Sequence, residues 1–106
     1  MSFRFMRIMV LFDLPVTTAT DLRNYNEFRK YLLKNGYIML QESIYTKVAI
    51  NQSSALVAIQ SLKSNSPEKG LIFAFSMTEK QFSDMVIITG NKQSTVLETC
   101  ERIVLL

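Results

Sequence analysis

The residue of this chain best placed to do chemistry is Asp13. It closes the apolar run Arg7-Ile8-Met9-Val10-Leu11-Phe12, and Leu14 and Pro15 follow it. A strand's C-terminal end is where open sheets of α/β proteins often place functional groups. A carboxylate there suits a hard, oxygen-seeking cation such as Mg²⁺. The alternative is structural: an aspartate at a strand end caps the next loop through side-chain to backbone hydrogen bonds. Position alone favours that second role. The other chemistry-bearing pattern is cationic. Arg23, Lys30 and Lys34 fall at i, i+7 and i+11, nearly in line on a helix, and Arg29 flanks them. Such a row suits the phosphates of a nucleic acid, although taken alone it favours a soluble helix face.

Other chemistries are closed off. The 106 residues include no histidine and one cysteine, Cys100. Zinc, haem and iron–sulfur centres are not expected from such a set, and Ser-His-Asp or Cys-His nucleophilic centres are excluded. Ser43 has no base to activate it. Tyr25, Tyr31, Tyr37 and Tyr45 have spacings that suit core or interface, and the phenylalanines are core by default. An internal disulfide is impossible, which fits a reducing cytoplasm. The N-terminus lacks the pattern of a signal peptide, and no apolar run approaches the ~20 residues of a membrane span. A small-molecule module would want a glycine-rich anion loop or a polar pocket; the three glycines are not clustered, so this reading ranks last.

At 48% hydrophobic residues the chain must bury a core, and its length suits one domain over residues 1–106. The net charge of +3 is uneven. Residues 1–47 hold seven Lys/Arg and four Asp/Glu, whereas residues 48–106 hold five of each. The excess lies where Asp13 and the cationic row lie, which is compatible with a phosphate-bearing partner, although charge alone favours a solvated surface.

The elements that must position these groups follow in order. Residues 7–13 alternate Ile8, Val10, Phe12 against Met9, Leu11, Asp13, apolar on both sides, which predicts a central strand. Thr20 or a nearby threonine caps a helix from about Ala19 to Lys34, carrying Leu22, Tyr25, Phe28, Leu32 and Leu33, with Gly36 at its end. Residues 37–41 and 44–50 read as two strands joined by a turn or bulge near Glu42-Ser43, or as one bent strand. A second helix follows Asn51-Gln52-Ser53-Ser54 and runs to about Ser64, burying Leu56, Ile59 and Leu62. Gly70–Met77 is a strand with Leu71, Phe73, Phe75 and Met77 on one face. Residues 82–89 read as a further strand, residues 95–100 as a helical turn, and about 101–106 as a final strand.

The order β-α-β-β-α-β is the split βαβ, ferredoxin-like arrangement of the α+β class, with an extra C-terminal strand. Its helices cover one sheet face, while this sequence makes the other face apolar as well. The expectation is a twofold homodimer, sheet facing sheet, with the last strand pairing with the partner subunit.

The segments ending Phe12-Asp13-Leu14-Pro15, spanning Arg23–Leu32, and running Gly36–Tyr45 together resemble CRISPR-associated protein two. This is the small spacer-acquisition family also described as CRISPR-associated endoribonucleases, and the flavour here is type II-like. The resemblance covers essentially the whole chain. It implies a ferredoxin-like homodimer that bridges two dimers of a CRISPR integrase subunit and binds the double-stranded DNA to be inserted. It also implies a magnesium-dependent endonuclease acting on RNA or double-stranded DNA. Asp13 matches the family's metal-binding aspartate, and Gln41, Ser43 and Tyr45 match a signature near the dimer axis. Two departures bear on the nuclease: Phe12 stands where many members have tyrosine, and Arg23 is the nearest downstream arginine.

Overall fold

The computed structural model describes residues 5–90. They form β1 (Met6–Asp13), α1 (Ala19–Lys34), β2 (Ile38–Gln41), β3 (Ile44–Ala49), α2 (Gln52–Ser64), β4 (Leu71–Thr78) and α3 (Glu79–Ser83). The sheet order is β2-β3-β1-β4 and every pairing is antiparallel. This is the expected α+β, ferredoxin-like topology: β1 and β2 run the same way with β3 between them, and α1 and α2 make the two crossovers. The expected helical turn at residues 95–100, the strand at 101–106 and Cys100 lie outside the described residues.

β1 sits centrally, paired with β3 from Met6↔Ala49 to Leu11↔Ile44 and with β4 from Met6↔Thr78 to Asp13↔Leu71. Its alternation divides the two faces as expected. Ile8, Val10 and Phe12 are buried with Phe28 and Leu32 of α1, Tyr45 of β3, and Ala55 and Leu62 of α2. Phe12 is the hub: the Phe28 ring meets it edge-on at 5.2 Å and the Tyr45 ring lies 5.7 Å away. Such pairs add about 1 kcal/mol beyond area burial.

The opposite face carries Met9, Leu11 and Asp13 of β1 beside Leu71, Phe73 and Phe75 of β4. Leu71, Phe73 and Phe75 are all exposed, at 54%, 56% and 44%. The default assignment of every phenylalanine to the core is therefore corrected. Phe73 and Phe75 belong to the apolar sheet face that the helices leave uncovered.

α1 begins at Ala19 as expected, and its cap is the nearby threonine two residues before Thr20. Thr18 is its cap: Thr18 Oγ1 accepts from the Asp21 backbone N–H (3.0 Å), and Asp21 Oδ2 accepts from the Thr18 N–H (3.2 Å). This reciprocal pair satisfies two donors that a helix start otherwise leaves free. Asn35 closes the helix, and Gly36 follows with φ +89°. Leu22 and Leu33, expected on the inner face, are exposed. β2 and β3 are separate strands with an irregularity between Met39 and Gln41, which removes the bent-strand alternative. α2 buries Ala55 and Leu62 while Leu56 lies exposed. Its inner stripe is Ala55-Ala58-Ile59-Leu62, at i, i+3, i+4 and i+7.

The strand expected over residues 82–89 is not formed. Thr78 instead caps α3, its Oγ1 accepting from Gln81 N–H (3.0 Å) while Gln81 Oε1 accepts from Thr78 N–H (2.9 Å). The capping box Thr78-Glu79-Lys80-Gln81 outcompetes the apolar run that follows it. Phe82 becomes a buried residue of α3, and residues 84–90 hold no regular element.

Candidate nucleic-acid interface

Asp13 ends β1 with its side chain exposed on the uncovered face, in register with Leu71. Among the described residues no backbone N–H donates to its carboxylate, so the loop-capping role finds no support. That work falls to Thr18 and Asp21. The approach of β4 to this point depends on Gly70. At φ +98° it stands where a Cβ would lie 2.9 Å from Asp13 O and 2.6 Å from Leu14 Cδ2.

The β2–β3 turn comes to the same end of the sheet. Phe12 N–H donates to Ser43 O at 3.0 Å, extending the ladder beyond Ile44. Gln41, exposed, and Ser43, half-buried, therefore sit at Asp13's end. Tyr45 does not join them. It points to the helix side, fully buried, and its hydroxyl accepts from Arg29 Nε at 3.0 Å.

Arg29 donates that bond yet stays exposed, flanking the other cations. Arg23, Lys30 and Lys34 are exposed on α1 and span about 16 Å along its axis at 1.5 Å per residue. Glu27, exposed and four residues after Arg23, falls within the row and dilutes its charge. Sequence spacing found the cations and missed this acid.

Magnesium, implied by the resemblance, takes six oxygens in near-octahedral geometry. Asp13 brings one carboxylate per chain, and no group of three or more His, Cys, Asp or Glu suited to a metal occurs among the described residues. Asp13 of one chain could give the ion one of these oxygens, with waters or the Asp13 of a second copy supplying others.

Two features were not anticipated from sequence. Arg7, nearly buried on the otherwise apolar face, is gripped by α3. Tyr37 is buried with a hydroxyl that finds no partner. The Thr78 capping box was a readable signal for the first. The second has none, because orphaned hydroxyls arise from packing.

A four-stranded antiparallel sheet, α1 and α2 on one face, apolar residues and a terminal aspartate on the other, where only the short α3 covers one end: these define a small ferredoxin-like α+β domain with a largely bare sheet face. The family model for CRISPR associated protein Cas2 matches residues 6–85. A protein of Treponema denticola named CRISPR-associated endoribonuclease Cas2 is 44% identical over 101 residues, covering 95% of this chain and 100% of its own length. Proteins of the same name from Ligilactobacillus salivarius and Streptococcus mutans are each 40% identical, covering 95% of this chain and 100% and 93% of their own lengths. The chain belongs to the CRISPR-associated Cas2 family. No helix among the described residues is long and apolar enough to cross a membrane.

Proposed function

We propose that the chain acts in CRISPR spacer acquisition as a homodimer that holds double-stranded DNA by its backbone and bridges dimers of an integrase subunit. The observation that carries this reading is the uncovered sheet face. Leu71, Phe73 and Phe75 stand exposed side by side beside Leu11, and apolar patches of this kind on small domains favour association. Sheets stacked through this face would lie about 10 Å apart. Both Asp13 carboxylates would then border one interface, and the two α1 helices would face outward. Light scattering tests the pairing. The native protein should run as a dimer and Phe73→Asp as a monomer; a native monomer at high concentration overturns the reading. Co-purification with the integrase subunit, with and without a spacer-length duplex, tests the bridge.

A second reading is a magnesium-dependent endonuclease acting on RNA or double-stranded DNA. The exposed, unbonded Asp13 favours it, as does the name endoribonuclease carried by the relatives. The metal, held by Asp13 from both subunits, would supply charge neutralisation at a phosphate. Cleavage that needs Mg²⁺ and vanishes in Asp13→Asn supports this reading, and cleavage undiminished in that variant removes it.

A further inference from the structure

Asn35, the C-terminal cap of α1, is the chain's one asparagine followed directly by glycine. Both residues are exposed. The space around Gly36 is open: the nearest atom to a Cβ placed there would be Lys47 Cε, 3.8 Å away. The end of α2 supplies a matched site. Asn65 caps it with nearly the same backbone, φ −119° and ψ 20° against φ −97° and ψ 18° at Asn35. Each side-chain amide donates to the carbonyl four residues back, Asn35 Nδ2 to Tyr31 O and Asn65 Nδ2 to Ser61 O, both at 2.9 Å. What differs is the next residue. After Asn65 stands Ser66, half-buried, with its Oγ bonded to Leu62 O at 2.6 Å, and Pro67 follows. After Asn35 stands Gly36, at φ +89°.

An asparagine side chain is attacked by the nitrogen of the following peptide when the backbone lets that nitrogen reach Cγ. Glycine, with no Cβ, opens the conformations that permit this. A side chain restricts them, and so does a proline one residue further on. At Asn35 only the last turn of α1 stands in the way: Gly36 N–H donates to Leu33 O at 3.2 Å, and Tyr37 N–H to Leu32 O at 3.0 Å. Helix ends open at little free-energy cost.

We propose that Asn35 is a site of spontaneous deamidation. The Gly36 nitrogen gives up its proton to base and bonds to Asn35 Cγ; Nδ2 leaves as ammonia, and a succinimide ring closes. Water then opens the ring at either carbonyl, giving aspartate or isoaspartate with no change of oxidation state. Either product puts a carboxylate directly after Lys34, the last cation of the α1 row. It also puts one at a helix C-terminus, where negative charge is unfavourable. On the duplex-binding reading proposed above, the row then holds a phosphate backbone less tightly.

The test ages the full-length protein at pH 7 and pH 9 and maps its peptides by mass spectrometry, with chromatography separating aspartate from isoaspartate. Both products should accumulate at residue 35, faster at the higher pH, and about tenfold faster than at residue 65. Gly36→Ala should slow the reaction about tenfold. Three results overturn the proposal: Asn35 surviving intact, Asn35 reacting no faster than Asn65, or Asn35 reacting as fast in Gly36→Ala. The Asn65 rate in each sample is the reference against which any loosening of the fold by Gly36→Ala is read. Asn35→Asp then reads the consequence: duplex affinity should fall and its salt slope flatten by up to about 0.9. Native affinity in that variant overturns the link to the duplex, while the peptide map decides the modification by itself.

Discussion

Arg7 and Glu79 form a two-pronged ion pair across the uncovered face of the sheet. Arg7 Nη2 lies 2.6 Å from Glu79 Oε2, and Nε lies 3.0 Å from Oε1. The guanidinium also lies over the Phe82 ring, 4.1 Å from its centre. Arg7 alternates with Met9 and Leu11, so its charge stands on an apolar face, and α3 folds over it at one end. Glu79 N–H donates to Phe5 O, which ties the start of α3 to the start of β1. α3 thus closes one end of the face and leaves the Asp13 end bare.

Removing Glu79 strands a charge that is almost wholly enclosed: the Arg7 side chain is 5% exposed and Glu79 32%. Breaking a buried pair from one side costs about 3–5 kcal/mol, and the partial exposure of Glu79 lowers this to about 2 kcal/mol. Urea unfolding should show Glu79→Ala destabilised by that amount. The double variant Arg7→Met/Glu79→Ala should regain much of the loss, because no unpaired charge remains. A double variant no better than Glu79→Ala would show that packing on Phe82, not charge, holds α3.

Gly70 should tolerate no side chain. Its φ of +98° is strained for any L-residue, and its Cβ position collides with the Asp13 carbonyl and the Leu14 side chain. Gly36 shares the positive φ, but its nearest neighbour is Lys47 Cε at 3.8 Å. Gly36→Ala should therefore cost about 1 kcal/mol, the backbone term alone. Gly70→Ala should cost more than twice that. Equal shifts in unfolding midpoint for the two would mean that β4 moves away from Asp13 freely.

How much of this was legible before the structure divides along physical lines. The alternation of Ile8, Val10 and Phe12, and the phases of α1 and β4, follow from periodicity, which the sheet and helices obey. Asp13's place on the bare face followed from the same count. The errors lie where two local signals compete. Phe82 begins an apolar run that reads as strand, but Thr78 and Gln81 cap a helix across it. Leu56 and Ala55 are adjacent, and only packing decides which of them turns inward. Arg29 flanks the row as its spacing implies, yet its Nε is also bonded to Tyr45. A hydrogen bond spanning 16 residues has no sequence signature.

The α1 row makes a graded prediction if it carries duplex backbone. Each cation withdrawn from a phosphate should reduce the slope of log affinity against log salt by about 0.9. Lys30→Gln and Lys34→Gln should each flatten the slope by about that much, equally for unrelated duplex sequences. Glu27→Gln should raise affinity, since it removes the acid within the row. Filter binding across a salt series reads all three; slopes identical to the native protein's would place the duplex elsewhere.

Tyr37 offers a test in alkali. Its hydroxyl is driven from 10.0 up to about 12, first by burial and then by the neighbouring Tyr31. The folded chain therefore holds this proton at a pH where the unfolded chain has released it. The resulting stability is fully present below pH 10 and is lost as pH climbs through about 12. Tyr37→Phe removes that dependence, so its unfolding free energy should fall less steeply than the native protein's across this window. At neutral pH the same variant should be more stable by about 1 kcal/mol, because an unpartnered buried hydroxyl is destabilising in the folded state. Chemical denaturation at pH 7 and through the alkaline range measures both effects. A neutral-pH loss of stability in Tyr37→Phe would show that the hydroxyl has a hydrogen-bond partner.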